Sequence, residues 1–134
     1  MGGMKGKKTG KFVIQRHERQ NEPLLRCATK GRQVHWDLML EKGGVLETYR
    51  VNSPPEEWGD NAPEATRIFD HPLKFLTYEG SVNKGKGKVT IVEAGIYRIL
   101  SQKENQLEAD FEGTIIKGKK EIIFATGGCR VQRG

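Results

Sequence analysis

Val34-His35-Trp36-Asp37-Leu38-Met39-Leu40-Glu41 reads as a β-strand with chemistry on one face and packing surface on the other. Side chains alternate along a strand, so His35, Asp37, Met39 and Glu41 point one way while Trp36, Leu38 and Leu40 point the other. The apolar face anchors the strand. His35 and Asp37 stand ~7 Å apart along it, close enough for both side chains to reach one cation. That pair can form half of a metal site.

On the C-terminal side, Lys42-Gly43-Gly44 leads into Val45-Leu46-Glu47-Thr48-Tyr49-Arg50-Val51, and a glycine pair between two strand-like runs signals a hairpin. A two-residue loop at Gly43-Gly44 sets Arg50 opposite Asp37 and on the metal face, whereas a three-residue loop sets Tyr49 there. The sequence leaves both registers open. On the N-terminal side, Lys11-Phe12-Val13-Ile14-Gln15-Arg16-His17 is another strand-like run, with residues 12–15 as the expected first strand. His71 lies in Asp70-His71-Pro72, where the following proline holds the backbone extended. His17, His35, His71 and Asp37 can therefore converge. Any one histidine alone reads more readily as a surface or hydrogen-bonded side chain, and the His35-x-Asp37 spacing is what strengthens the metal reading. Two imidazoles and a carboxylate suit manganese, iron or zinc, with positions left for water or a substrate oxygen. The bland alternative pairs Asp37 with Arg50 or Lys30.

A chain of 134 residues suits one domain, and 17 glycines and five prolines among short apolar runs predict many turns and short strands, hence an all-β fold. The formal charge is +6, but Lys5, Lys7, Lys8 and Lys11 fall in an acid-free opening, leaving +6 − 4 = +2 for the other 123 residues. Residues 1–10 are expected to be a flexible basic tail, solvating or contacting phosphates, and 11–134 the folded domain. Cys27 and Cys129 lack the CxxC spacing of a zinc ribbon or redox motif. No apolar run approaches the roughly 20 residues of a membrane span, and there is no signal-peptide pattern, so a cytoplasmic chain with reduced thiols and no membrane partner is expected.

Residues 18–33 show no period and predict a long loop carrying Arg19, Arg26, Lys30 and Arg32, either solvated surface or a phosphate-contacting flap. Residues 52–66 form a polar connection with one helical turn at 54–58 capped by Ser53, and 67–71 a short strand. In residues 78–88 lysines alternate with glycines, so Lys84 and Lys86 are candidate phosphate contacts, although a plain basic turn is the commoner meaning of such a run. Residues 89–93 and 96–100 read as strands broken at Gly95, Leu107-Glu108-Ala109-Asp110-Phe111-Glu112 alternates strictly, and Lys117-Gly118-Lys119-Lys120 turns into 121–125. Seven to nine short strands of this kind make a sandwich or barrel. Trp36 and Phe75 are expected in the core rather than as base-stacking platforms. The chain contains no H-x-T, H-x-S, H-x-H, G-x-S-x-G, P-loop or HExxH.

Residues 12–17, His35-Trp36-Asp37-Leu38-Met39-Leu40-Glu41 with Gly44-Val45-Leu46, Asp70-His71-Pro72-Leu73, Glu79-Gly80, Gly85, Gly87, Val89 and Gly95 follow one another in a particular order. So does an ending with Phe111, Gly113, Lys117-Gly118 and residues 122–124. From about residue 11 to 125 the pattern resembles the 3′-phosphoesterase domain of prokaryotic DNA ligase D. The resemblance implies a small closed β-barrel of mostly antiparallel strands with a manganese-dependent site. That site trims 3′ ends at DNA breaks, removing a terminal ribonucleoside and then the 3′-phosphate. It implies His17, His35 and Asp37 as metal ligands, His71 as a histidine on the scissile phosphate, and Gln15 as a glutamine beside the site. DNA or RNA-tailed DNA 3′ ends are the implied partners of a monomer, with a separate DNA ligase or polymerase for any joining.

Two positions depart from the family pattern. Met39 stands where the family motif has a phosphate-binding arginine, and Phe75 where it has a tyrosine. The stretch between His17 and His35 is also longer. Arg50, Arg32 or Lys30 is expected to supply the missing cation. The rival reading is a non-catalytic module that binds nucleic-acid ends or a ligase or polymerase, and a further one is an esterase of small phosphorylated substrates.

Overall fold

A computed structural model describes residues 9–19, 33–59 and 64–126. It holds eight strands: β1 (Thr9–Arg19), β2 (Gln33–Lys42), β3 (Val45–Val51), β4 (Ala65–His71), β5 (Gly80–Val82), β6 (Gly87–Lys103), β7 (Gln106–Glu112) and β8 (Lys117–Thr126). Short 3₁₀ turns occupy Pro55–Glu57, Leu73–Leu76 and Asn83–Gly85, and no α-helix occurs among the described residues. The expected all-β class is found.

Gly43 and Gly44 take φ of 62° and 87°, values a hairpin turn with two left-handed residues requires and that only glycine adopts freely. The loop therefore has two residues, Lys42 pairs with Val45, and Asp37 pairs with Arg50. That settles the register left open by the sequence. Pairing continues β1-β2-β3-β4-β8-β7-β6, and β6 pairs back onto β1, so the strands close into a ring of seven with β5 added on β6. All pairs are antiparallel except β4 with β8, where Ala65 lies beside Phe124.

Alternation along the strands splits the apolar residues between two faces. Phe12, Ile14, Leu38, Leu40, Tyr49 and Phe111 belong to the larger buried cluster, which Trp58 caps from the β3–β4 connection. Val13, Met39 and Leu46 form a smaller cluster on the opposite face, covered by Phe75, Leu76 and Ile91. Trp36 packs against the first cluster and Phe75 against the second, as expected of core residues.

Several local expectations are corrected. Ser53 caps nothing: Pro54 precedes the 3₁₀ turn, and Ser53 instead offers its carbonyl to Trp58 Nε1 at 3.0 Å. Strand β1 runs from Thr9 to Arg19, longer at both ends than residues 12–15, and takes in residues assigned to the tail and to the long loop. Gly95 does not break β6, which is continuous for 17 residues; it admits the backbone of Glu112, which a Cβ there would strike. Glu93 is buried and accepts from the backbone N–H of Thr114, Ile115 and Ile116 at 3.1, 2.6 and 2.6 Å, pinning the β7–β8 connection. The basic tail through residue 8, Arg26, Lys30, Arg32, Cys27 and Cys129 lie outside the described residues.

Candidate metal centre

Cross-strand pairing assembles the site as two adjacent rungs. His17 of β1 lies directly opposite His35 of β2, and one side-chain repeat along, Gln15 lies opposite Asp37, which lies opposite Arg50 of β3. Residues paired in this way share a face with Cβ atoms about 5 Å apart, so five polar groups meet without any loop positioning them. The face is the one that carries Val13, Met39 and Leu46 further along.

His35 Nε2 and His17 Nδ1 are 3.0 Å apart, with the rings edge to face. Asp37 Oδ1 is 3.6 Å from His35 Nε2, and Oδ2 is 3.8 Å from His17 Nδ1. The three donor atoms lie within 4.8 Å of one another and could hold one metal ion. A metal requires a neutral imidazole and an ionised carboxylate, and the surroundings of His35 and Asp37 favour those states. Burial pushes His35 below the usual imidazole range, outweighing the hydrogen bond and charge of Asp37 that pull it up. Burial works to raise Asp37, but hydrogen bonds from His17 and His35 and the charges of His35 and Arg50 hold it well below the usual carboxylate range. Arg50 Nε approaches Asp37 Oδ1 at 3.4 Å, a loose contact that leaves the rest of the guanidinium available.

His71 reaches this face through a bulge. Leu46 pairs with His71 and Thr48 with Ile68, so three steps along β4 oppose two along β3. The extra residue turns His71 onto the side of Thr48, the kind of re-aiming bulges perform beside functional sites. His71 Nδ1 lies 2.9 Å from Thr48 Oγ1 and 3.1 Å from the Phe69 carbonyl. A carbonyl only accepts, so Nδ1 carries the proton and Nε2 is the nitrogen left for a ligand. Burial lowers the His71 pKa, and Asp37, Arg50 and His17 are near enough for their charges to act on it.

Gln15 sits beside the ligand trio, but its Nε2 donates to the carbonyls of Phe75 and Tyr78 at 2.9 and 3.1 Å. It ties β1 to the segment that covers the smaller apolar cluster, and its Oε1 is buried without a partner. Lys84 and Lys86 are exposed on the turn before β6, with Lys84 in the left-handed region at φ 58°. That turn delivers Gly87 against His17, where an added Cβ would lie 3.0 Å from Nε2. Thr48 was missed in the sequence because a buried threonine in a strand has no signal of its own; only the bulge in β4 makes it a partner of His71.

The model of the DNA ligase D 3′-phosphoesterase domain matches residues 28–127, about three quarters of the chain. The chain belongs to that family. The multifunctional non-homologous end joining protein LigD of Mycolicibacterium smegmatis is 36% identical over 97 residues, which is 67% of this chain and 11% of that protein. The LigD of Mycobacterium bovis is 35% identical over 92 residues, 64% of this chain and 10% of that protein. A dihydroxy-acid dehydratase of Methylococcus capsulatus is 28% identical over 79% of this chain but only 20% of its own length, a likeness to one segment of it. The chain spans about a tenth of the length of the LigD proteins it matches.

For this ligase D phosphoesterase-family chain the matched residues include His35, Asp37, Arg50 and His71, whereas Gln15 and His17 precede the match. Strand pairing supplies what the match leaves out, since β1 lies directly alongside β2. Met39 and Phe75, the two positions read in the sequence as departing from the family resemblance, fall together. Met39 is 1% exposed in the smaller apolar cluster, and Phe75 packs over that same cluster.

Proposed function

We propose that this chain is a metal-dependent DNA 3′-end-processing phosphoesterase of break repair, with its ring of strands a closed barrel. The observation that carries this reading is the meeting of His17, His35 and Asp37 on one face with Arg50 and His71 beside them. His17, His35 and Asp37 hold the metal, for which we propose manganese. When bound, it supplies Lewis-acid polarisation of a phosphoryl oxygen and activation of water.

The chain's own groups divide the remaining work. Asp37 stays ionised and His35 neutral at pH 7 because of the burial and partners described above, so neither must shed a proton before binding a cation. Arg50 takes the place of the missing arginine at Met39, its loosely held guanidinium compensating negative charge on the phosphoryl oxygens. His71, fixed by Thr48 and the Phe69 carbonyl through Nδ1, presents Nε2 to the phosphate; protonated there, it donates to a phosphoryl or leaving oxygen. Gln15 holds the covering segment in place. Lys84 and Lys86, with Lys30 and Arg32, contact the nucleic-acid backbone.

The substrates are DNA 3′ ends carrying a terminal ribonucleoside or a phosphate, and a separate ligase or polymerase completes repair. The Arg50–Asp37 contact is also the plain ion pair of a buried carboxylate, so what favours this over a purely binding module is the convergence of two imidazoles and a carboxylate within 4.8 Å of one another. Manganese-dependent removal of a 3′-phosphate from a DNA primer, absent in His35→Ala, tests the reading.

A further inference from the structure

Phe69 is the most exposed large apolar side chain among the described residues, at 73%, although it lies within β4. Its ring stacks on that of His71, with centroids 4.8 Å apart and planes 19° apart. One face of the ring is therefore covered by a site histidine while the other meets solvent. Among the described residues, pairing between β4 and β8 ends at Arg67, which lies beside Thr126.

Phe69 also borders an open cleft of about 650 Å³ together with Arg50, Arg67, Ile68, Phe124 and two acidic residues, Asp70 and Glu104. That volume lies within the roughly 300–1,000 Å³ of sites that take small ligands. Its charges are unequal in availability. Arg67 is held by two carboxylates, Glu47 at 3.5 Å and Asp70 at 3.7 Å, whereas Arg50 makes one contact through Nε, to Asp37 at 3.4 Å, and borders both this space and the metal trio. An open aromatic face, an arginine beside a metal site and a histidine joining the two fit a nucleotide, with base on the ring and phosphate toward the metal.

We propose that Phe69 is a stacking platform for the base of the 3′-terminal nucleotide. This rests on the phosphoesterase reading above and adds to it a positioning residue. Phe69 touches no reacting atom: it sets the base, and through the sugar the phosphate, in line with His71 and Arg50. Because every base has a π face, the platform tolerates all four bases.

The test compares wild type, Phe69→Ala and Phe69→Trp on 5′-labelled primer–templates with a 3′-phosphate, the terminal nucleotide either intact or abasic. On intact ends Phe69→Ala raises KM about ten-fold with kcat within about two-fold, and Phe69→Trp restores KM. On abasic ends wild type and Phe69→Ala have the same KM. An unchanged KM on intact ends, or an equal rise on abasic ends, overturns the platform while leaving the phosphoesterase reading intact. A wild type that processes neither end overturns both.

Discussion

His35 Nε2 and His17 Nδ1 lie 3.0 Å apart across one rung of the β1–β2 ladder. Two imidazole nitrogens at that distance either share a proton or turn both lone pairs toward a cation. With the Asp37 oxygens within 3.8 Å of each, the second arrangement gains a third donor. His17→Ala, His35→Ala and Asp37→Asn should each weaken manganese binding at least about ten-fold, measured by the free-ion signal in electron paramagnetic resonance titrations. A variant that binds as wild type removes its residue from the ligand set.

Acid should destabilise the metal-free protein in two stages. His35 and His71 have folded pKa values lowered by burial, so between the folded and the unfolded value, about 6.5, the unfolded chain holds more protons and stability rises with pH. The contribution is complete above about pH 6.5 and is lost as pH falls through the folded values. Asp37 adds a second loss below about pH 4, because its folded pKa is also depressed. Thermal melts in chelator from pH 8 to 4 should show a Tm that is flat above about pH 7 and then declines. A Tm that rises on acidification from pH 7 to 5 contradicts this account of the histidines.

Much of the site was legible because it is built from strand alternation and one hairpin. The spacing of His35 and Asp37 fixes their shared face, and Gly43-Gly44 allowed the register that sets Arg50 against Asp37. The bulge that turns His71 toward Thr48 was not legible, since an extra residue leaves no mark in a seven-residue strand. Glu93 read as one residue of an alternating strand, but its partners are backbone amides 21 to 23 residues away, which no local pattern encodes. The parallel pairing of β4 with β8 likewise joins segments almost 60 residues apart. Gly95 was misread as a break because a glycine that permits close backbone approach looks, in sequence, like one that ends a strand.

Arg50 separates metal binding from turnover. Arg50→Ala should lower kcat about 100-fold while manganese affinity changes by less than about three-fold, because the guanidinium touches only one oxygen of Asp37 and is proposed to act on the phosphoryl group. Steady-state kinetics on a 3′-phosphate primer beside a metal titration makes the comparison. An unchanged rate assigns the missing cation to another residue.

Met39→Arg restores the family residue but places its charge in the cluster with Val13 and Leu46 under Phe75, Leu76 and Ile91. An unpaired charge there should cost about 3 kcal/mol or more, read from the urea midpoint. Wild-type stability together with faster turnover would show instead that the arginine escapes the cluster to reach the phosphate.

In the proposed function, the His17, His35 and Asp37 cluster drives removal of nucleotides from 3′ ends. A 5′-labelled primer–template ending in one 3′-ribonucleotide, incubated with manganese and resolved on a denaturing gel, tests it with wild type and His35→Ala. Wild type should shorten the primer to a 3′-phosphate and then a 3′-hydroxyl product, and His35→Ala should yield neither. An unshortened primer with folded, manganese-loaded wild type, or equal shortening by His35→Ala, contradicts it.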